Sequence, residues 1–382
     1  MKILFITYGY DTSNKEINKS LRKIGNKVIS LKIRNGIDDN QNENIIIPII
    51  KLRLLSNFSF NLLLFFILPI YLLFNKTDVL IFDYNSFMGI ITSYPIAKLK
   101  RIKILMDIRS IPVDVNNFFG IFRVLQYNLA MFFSKLLCDG FTFLTSPMAE
   151  KECRKYRIKN KPIGIWTSGV NEELFNPKLY EKQGKELRQK LRLENKFVVF
   201  YHGVLSPNRG LQNALRAIGL LKKEHPDIIL LFLGEGSAKD ELKEIIKIDK
   251  LETNTILHYK IDYNEVPKYI AMINVGIVPL PYHPYWIDQS PLKVMEYLSM
   301  EKPIILTDIP AHKDIINEAK CGIFIKSDEP EEIKRGIMFA YNNKSKLMQL
   351  GKEGRKIVLQ KYTWDKIAED LERFLVKVKN GK

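Results

Sequence analysis

The 382-residue sequence is poor in cysteine and opens without a segment for export. Its three cysteines, Cys138, Cys153 and Cys321, are odd in number and far apart, which excludes a disulfide scaffold and favours a reducing compartment. The chain begins with the strand pattern Lys2–Tyr8 instead of the charged, apolar and small-residue regions of a signal peptide. The sequence therefore predicts a cytoplasmic protein.

Several catalytic and metal-binding motifs are also missing. No HExxH, CxxC or Asp-x-Asp pattern occurs, and the first histidine is His202, which argues against a zinc site and against a histidine base in the N-terminal half. No G-x-G-x-x-G follows the first strand, which disfavours a dehydrogenase or an epimerase. No basic motif interleaved with aromatic residues stands out, so nucleic acid is not an expected partner.

The sequence carries an uneven excess of positive charge. It has 59 Lys and Arg residues against 42 Asp and Glu, a net charge of +17. Residues 1–180 contribute +11 of this excess, with 25 basic and 14 acidic residues. A basic N-terminal half is compatible with nucleic acid, an anionic membrane or a phosphorylated substrate, and charge alone does not choose among them.

Three features of the N-terminal half raise the question of membrane contact. The charge-free window Leu54–Asn75 contains an apolar run, Leu62–Phe74, that includes Pro69 and is shorter than the roughly 18 residues of a spanning helix. A buried helix, a helix in the membrane interface and a true span all remain open. The aromatic segment Phe118–Leu137 and the basic run Lys151–Lys161 suit contact with lipid headgroups, although core packing and a solvated face explain the same residues. Peripheral attachment to a membrane is therefore a hypothesis.

Short apolar runs alternate with amphipathic stretches, which predicts an α/β protein. From Lys196 onward the alternation is regular and typical of a parallel sheet covered on both faces, and the N-terminal half repeats it less clearly. The predicted strands are Lys2–Tyr8, Lys27–Leu31, Val79–Asp83, Ile102–Asp107, Gly140–Leu144, Ile163–Trp166, Phe197–His202, Ile228–Leu233, Thr255–His258, Val275–Pro279, Pro303–Leu306 and Gly322–Ile325.

This alternation predicts two Rossmann-like parallel-sheet domains that face a cleft. The polar stretch Asn176–Asn195 is the candidate linker, which places one domain over residues 1–180 and the other over residues 190–363. In open parallel sheets ligands bind at the carboxyl ends of the strands, beside the N-termini of helices. Functional residues are therefore expected in those loops.

The densest group of candidate residues lies between Asp288 and Leu298. Ser290 is a good N-cap and Pro291 suits the first helical position, which predicts a helix whose free N–H groups could bind a diphosphate. Asp288 precedes that helix end and Glu296 lies almost two turns inside, so their carboxylates could hold sugar hydroxyls on either side of the diphosphate. This interpretation requires Glu296 to be open to a ligand. A capped helix with an incidental acid explains the same residues.

Loops after three other strands are further candidates. The loop Gly203–Gly210 contains Arg209, which could pair with phosphate oxygens, but it lacks the Gly-Lys-Ser/Thr of a Walker motif. Gly234-Glu235-Gly236 follows the next strand, where a plain turn is the simpler explanation. In the N-terminal half, Asp107 ends a strand, and Arg109 could keep its carboxylate ionised for chemistry. An ordinary ion pair is an equally good explanation there.

Together these patterns resemble the family 4 glycosyltransferases of the GT-B fold. The resemblance covers nearly the whole chain and rests on the order and spacing of Ser168–Pro177, Gly203 with Arg209-Gly210, Gly234–Gly236, Val275–Pro279, Ser290-Pro-x-Lys-x-x-Glu296-Tyr297 and Tyr362–Asp365.

The resemblance implies a retaining, metal-independent transfer of a sugar from a nucleotide diphosphate donor. The donor would lie against the C-terminal domain and the acceptor against the N-terminal one, onto which the last helix, residues 364–382, would cross back. No cofactor is implied. The product would be a lipid-linked glycan or a surface polysaccharide, made at the cytoplasmic face of the plasma membrane.

The resemblance also implies the site residues. The family's paired acids correspond to Asp288, which would hold donor-sugar hydroxyls, and Glu296, which would hold the ribose. The amides from Ser290 through Pro291 to Leu292 would hold the diphosphate, together with Arg209. The remaining implied contacts are Gly203, Gly234, Glu235, Gly236, Tyr259 and Lys260 for the donor, and Gly9 and Arg109 for the acceptor. The implied catalytic residues are Asp107, Asp288 and Glu296, of which Asp107 would orient the acceptor hydroxyl.

The sequence departs from the family pattern in three places, and two of these departures, Val204 and Asp288, leave a second function open. Asp288 is one methylene shorter than the usual glutamate, and Val204 stands where the family has an arginine. The first glycine-rich loop is reduced to Tyr8-Gly9-Tyr10. The alternative to an enzyme is a non-catalytic subunit that binds sugar nucleotides and supports a partner.

Overall fold

The computed structural model describes residues 1–9, 12–33, 44–47, 55–112, 118–316 and 321–381. The chain divides into two compact units: Met1–Thr167 with Trp364–Lys382 forms the first unit, and Ser168–Thr363 forms the second. Tyr10, which belongs to the reduced first loop, lies outside the described residues.

The described strands form two parallel sheets. The first unit has a seven-stranded sheet in the order β3-β2-β1-β4-β5-β6-β7, and the second has a six-stranded sheet in the order β10-β9-β8-β11-β12-β13. The strands are β1 (Lys2–Thr7), β2 (Lys27–Ile33), β3 (Asn44–Ile47), β4 (Val79–Phe82), β5 (Lys103–Ile108), β6 (Gly140–Phe143), β7 (Ile163–Ile165), β8 (Phe197–His202), β9 (Ile228–Leu233), β10 (Thr255–His258), β11 (Val275–Val278), β12 (Ile304–Thr307) and β13 (Gly322–Ile325).

Helices connect and flank these strands. They are α1 (Thr12–Lys23), α2 (Leu55–Phe74), α3 (Phe87–Leu99), α4 (Phe118–Leu137), α5 (Ser146–Tyr156), α6 (Pro177–Lys190), α7 (Leu211–Leu221), α8 (Lys239–Ile248), α9 (Val266–Met272), α10 (Leu292–Ser299), α11 (Pro310–Ile316), α12 (Pro330–Asn342), α13 (Lys344–Lys361) and α14 (Trp364–Lys379). The prediction of two parallel α/β sheets is confirmed.

The central strands are buried along their whole length, which explains their continuous apolar sequences. The strands β8, β9 and β10 have the bounds that the sequence predicts. The strand β3 was not predicted. It has four residues at the edge of its sheet and pairs only with β2 among the described strands.

The boundary between the units falls earlier than the predicted linker. The helix α6 belongs to the second unit and packs closely on α9, since a Cβ added at Gly184 would lie 2.9 Å from the Cβ of Ala271. Residues 168–180, which the sequence analysis assigned to the first domain, therefore lie in the second unit. Residues 168–171 also contact the C-terminal end of the second unit, because the Val170 amide donates to the Tyr362 carbonyl at 3.0 Å.

The last helix, α14, packs within the first unit. Ser20 of α1 donates from Oγ to Asp365 Oδ1 at 2.7 Å, and Asn26 Nδ2 donates to Glu372 Oε1 at 2.7 Å. The chain thus returns to its first unit after completing the second.

The helix α2 packs on the first unit along one face and exposes the other. Its segment Ser56–Phe74 is, within the described part of the chain, the one helix long and apolar enough to cross a membrane, and a third of it is buried. The buried face repeats every four residues, as expected for a helix that packs on a sheet, and comprises Phe60, Leu64, Leu68 and Leu72. A buried helix in a protein core has the same length and composition, so these two properties are weak evidence that α2 crosses a membrane.

Candidate functional site

The loops after β8 and β9 are bonded to each other. The Gly203 amide donates to the Leu233 carbonyl at 2.9 Å, and the Leu205 amide donates to the Glu235 carbonyl at 2.9 Å. A Cβ on Gly234 would lie 1.9 Å from the Gly203 carbonyl oxygen, and Gly234 also has a φ of +155°. The close approach of two loops thus already requires this glycine, and its contact with a donor stays a prediction.

The helix α10 begins one residue later than the sequence predicts. Ser290 is not its cap: Pro291 occupies the N-cap position with an extended backbone (φ −69°, ψ 128°), and no side chain caps the helix. The Ser290 carbonyl instead accepts a hydrogen bond from Ser168 Oγ at 2.5 Å. Pro291 also has no N–H, so the predicted set of amides is wrong at that position. The first helical amides belong to Leu292 and Lys293, and helix geometry leaves them without a partner inside the helix.

The two predicted acids lie in the second unit and are both buried. Asp288 is 5% exposed and Glu296 is 3% exposed. The Tyr263 hydroxyl donates to Glu296 Oε1 at 2.6 Å, and His202 Nε2 lies 3.2 Å from Glu296 Oε2. Burial raises the pKa of Glu296 to about 7, against the opposing effects of the Tyr263 hydrogen bond and the Lys293 charge. The open carboxylate that the sequence analysis required at Glu296 is therefore not present in this arrangement.

Three residues around Glu296 were not predicted from the sequence. Burial and the nearby Lys293 charge hold the pKa of His202 well below its usual value, so His202 is neutral near pH 7. Lys293 is buried one turn before Glu296 on the same helix, and Tyr263 is partly exposed. The sequence offered a signal for two of them: His202 ends a predicted strand, and Lys293 lies three residues before Glu296, which is helical spacing. No local pattern marked Tyr263.

Arg209 and the residues after β9 and β10 line the same edge of the second sheet. The Arg209 guanidinium lies 4.7 Å from the Trp286 ring centroid, and its Nε donates to Ser206 Oγ at 3.1 Å. Lys239 pairs with Glu235 at 2.9 Å and lies 4.0 Å from the Tyr259 ring centroid. Glu235, Tyr259 and Lys260 are exposed.

The predicted acceptor residues lie in the first unit. Thr142 Oγ1 and Trp166 Nε1 donate to Asp107 Oδ1 at 2.7 and 2.8 Å. The Arg109 guanidinium stacks on the Trp166 ring, 3.6 Å from its centroid, and donates to the Trp166 carbonyl. Arg109 thus contacts the indole that holds Asp107, an arrangement that the sequence did not suggest. Gly9 is exposed.

Asp83 is a further acid at this edge of the first sheet. It directly follows β4, accepts hydrogen bonds from Ser86 Oγ at 2.6 Å and from the Tyr8 amide at 3.2 Å, and lies one strand away from Asp107. Burial raises the pKa of Asp83 to about 6, and the charge of Asp107 adds to the effect. Asp83 ended a predicted strand, so its position at the carboxyl edge was available from the sequence.

No group of three or more His, Cys, Asp or Glu side chains that could hold a metal ion occurs among the described residues. Metal independence stays a prediction.

The second unit matches a known enzyme family. Residues 183–357 match the family model described as glycosyl transferases group 1. Most of the second unit is thus similar to group 1 glycosyl transferases. The matched residues include the loops after β8 and β9 and the helix α10, so the matched segment contains every predicted donor contact.

Curated relatives match this domain over part of their length. EpsD of Bacillus subtilis (strain 168), a glycosyltransferase by its name, is 27% identical over 193 residues, which are 50% of this chain and 49% of EpsD. TuaH of the same organism, whose name assigns it to teichuronic acid biosynthesis, is 29% identical over 175 residues, 45% of this chain and 41% of TuaH. The chain thus spans less than half the length of these two relatives.

A solved structure matches the whole chain. Anabaena HepE, determined in complex with UDP, has a TM-score of 0.77 and 14% identity, with 99% of this chain and 100% of HepE covered. At this identity the likeness shows the fold. The chain has the GT-B fold of glycosyltransferases, as predicted.

Proposed function

We propose that this protein is a retaining, metal-independent glycosyltransferase of the hexosyltransferase type. It would move a sugar from a nucleotide diphosphate sugar to a lipid-linked glycan or a polysaccharide. The observation that carries this proposal is the proximity of Arg209, Lys293 and Glu296 at α10, inside the segment that matches group 1 glycosyltransferases. Asp288 is buried and precedes that helix by four residues. The name of TuaH agrees with a glycan as the product, and the UDP bound to HepE agrees with a nucleotide diphosphate sugar as the donor.

The donor would bind by its diphosphate at the start of α10. The amides of Leu292 and Lys293 and the Arg209 guanidinium are cationic or electropositive groups that favour the charge developing on the departing diphosphate. The nucleotide would leave from the face on which the acceptor attacks, which retains the configuration of the sugar. Closure of the protein around the donor would exclude water and prevent its hydrolysis.

Glu296 would hold the ribose only after a rearrangement. Its Oε1 accepts the Tyr263 hydroxyl at 2.6 Å, so a ribose hydroxyl has to replace that donor. Tyr263 is partly exposed and follows a loop, which permits the exchange. Asp288 would contact the donor sugar, and its burial demands a similar opening.

The acceptor hydroxyl would be oriented by Asp107. Its Oδ1 is fixed by Thr142 and Trp166, so the carboxylate has one defined direction. Asp83 is a second carboxylate at the same edge, and its pKa of about 6 suits a group that accepts a proton near neutral pH.

Radiolabelled nucleotide sugars and a membrane extract test the proposal. Incorporation of label into a glycan that depends on one donor supports the enzyme. Binding of a nucleotide sugar without any product supports the alternative, a non-catalytic subunit, which Val204 and Asp288 motivate. Failure to bind any nucleotide sugar contradicts both functions. A thermal-shift screen of nucleoside diphosphates and their sugars identifies the donor to use.

We also propose that the first unit contacts the cytoplasmic face of a membrane. Gln126 Nε2 of α4 donates to Asn57 Oδ1 of α2 at 3.1 Å, so the two helices touch. Both expose large apolar side chains, which favour insertion among lipid headgroups. They are Phe58, Leu62, Phe66, Ile70, Leu73 and Phe74 on α2, and Phe118, Phe119, Ile121, Phe122, Leu125, Leu129, Phe132 and Leu136 on α4.

Vesicle binding tests this contact. Neutralising the basic run Lys151–Lys161 should weaken binding to anionic vesicles at low salt, because its charges attract anionic headgroups. Unchanged binding would remove the basic run from the proposed membrane surface.

A further inference from the structure

Lys293 is a buried cation without a hydrogen-bond partner. Its side chain is 7% exposed, and Nζ makes no hydrogen bond to any described residue. The ammonium lies 3.6 Å from the centroid of the Tyr201 ring, which stabilises it only in part. Burial lowers the pKa of Lys293 well below its usual value. A buried ammonium without a partner destabilises the free protein, and such groups are typical of binding sites.

A second cation lies beside Lys293. The Arg209 charge acts to lower the pKa of Lys293 and that of Tyr201, whose ring contacts the Lys293 side chain, so the guanidinium lies near both residues. The other contacts described for Arg209 are with Ser206 and the Trp286 ring, which are uncharged. A protonated Lys293 and Arg209 would therefore repel each other, and a bound anion would relieve this repulsion.

The nearest acid does not neutralise this pair. Glu296 attracts Lys293, but no hydrogen bond joins them, and its carboxylate contacts Tyr263 and His202 instead. Burial raises the pKa of Glu296 to about 7, so near neutral pH its negative charge is incomplete. Glu296 therefore does not neutralise Arg209 and a protonated Lys293, and an anionic ligand would do so.

The exposed residue Gly203 lies directly beside Lys293. Gly203 is exposed, and a Cβ added there would lie 3.3 Å from Lys293 Nζ. The φ of +115° at Gly203 also disfavours any other residue. Val204, the next residue, is 54% exposed and brings no charge to this loop.

We propose that Lys293 and Arg209 together bind the diphosphate of the donor, which would approach Lys293 beside Gly203. Lys293 would supply the positive charge that Val204 does not provide. The inference rests on the proposed function and adds Lys293 to its donor-binding residues. Since the ammonium is destabilised in the free protein, binding of the anion should also be accompanied by uptake of a proton.

Isothermal titration calorimetry at pH 8.5 tests the inference. The ligands are the diphosphates of uridine, guanosine, adenosine and thymidine, each compared with its nucleoside. Lys293→Met should weaken binding of the preferred diphosphate roughly 10- to 100-fold and leave nucleoside binding unchanged. Adding Val204→Arg to that variant should restore part of the affinity, because it returns a cation to the loop.

Two further readouts separate binding from a structural role. Lys293→Met should unfold at the same temperature as the wild type or a higher one, because a buried polar group without a hydrogen-bond partner is removed. The matched control is Lys302→Met: Lys302 Nζ donates to the Ile273 carbonyl at 2.9 Å, so its loss should lower the unfolding temperature and leave diphosphate affinity unchanged. In the wild type, titrations in buffers of different ionisation enthalpy should show uptake of up to one proton, since Glu296 is already ionised at pH 8.5.

The outcomes distinguish the inference from the proposed function. Wild-type affinity for the diphosphate in Lys293→Met would overturn the role of Lys293 alone. Absence of proton uptake by the wild type would do the same, even if the variant did not fold. Failure of the wild-type protein to bind any of the four diphosphates would overturn the proposed function and this inference together.

Discussion

Replacement of Glu296 by glutamine should make the protein more stable at high pH and weaken its binding of the donor. The two side chains have nearly the same shape, and a glutamine oxygen can still accept the Tyr263 hydroxyl. The change therefore removes the titrating proton without opening a cavity. A residue that lowers stability while it improves binding is expected at a functional site.

The magnitude follows from the pKa of Glu296. Burial raises this pKa from 4.5 to about 7 in the folded protein. Between these values the unfolded chain ionises first, so stability falls as the pH rises, by about 3 kcal/mol in total at 1.36 kcal/mol per pKa unit. Glutamine does not titrate, so the variant should match the wild type near pH 4.5 and exceed it by about 3 kcal/mol at pH 8.

Urea unfolding of both proteins from pH 4.5 to 8 measures this difference. His202, whose pKa is lowered, contributes stability that increases with pH up to its unfolded value, but it is present in both proteins and largely cancels. The control is Glu265→Gln, which removes an exposed acid paired with Lys268 at 2.6 Å and measures the effect of losing a carboxylate at the surface.

One result would refute the reasoning. A stability difference between Glu296→Gln and the wild type that stays constant from pH 4.5 to 8 would mean that the pKa of Glu296 is not raised. Donor affinity equal to that of the wild type would separately remove Glu296 from the proposed ribose contact.

Three other predictions concern the acceptor edge, the loop packing and the membrane surface. Asp107→Asn should reduce turnover at least about 100-fold with unchanged donor affinity, and equal turnover would exclude Asp107 from catalysis. Gly234→Ala should destabilise the protein by roughly 3 kcal/mol, since its Cβ would lie 1.9 Å from the Gly203 carbonyl oxygen; a small shift in urea unfolding would contradict the described loop packing. The pair Phe66→Ser and Phe132→Ser should weaken vesicle sedimentation about 10-fold or more without loss of stability, because both side chains are mostly exposed. Undiminished sedimentation would argue against α2 and α4 as the membrane surface.

Continuous apolar runs made most of the sheets predictable. The strands β8 and β9 are buried on both faces, and their sequences show it. All six residues of β9 are apolar, and β8 has five apolar or aromatic residues followed by His202. The edge strand β3 has only four residues, which is too short a run for periodicity to identify. The start of α10 was misplaced because Ser290 and Pro291 form a good local start signal, whereas the structure holds Pro291 in an extended conformation.

The sequence by itself determined the order of strands and helices, the positions of the loops at strand ends and the spacing of Asp288 and Glu296. Those properties depend on near neighbours, so a local pattern carries them. Only the tertiary structure decided that Glu296 is buried. It also decided that Glu296 contacts Tyr263, 33 residues away, and His202 at the end of β8. It also decided that Lys293 lacks a partner, because every residue of α10 from Lys293 onward is buried and helical periodicity cannot show what surrounds it. Burial and charge pairing depend on contacts between distant segments, and these contacts set the pKa values on which the proposed chemistry depends.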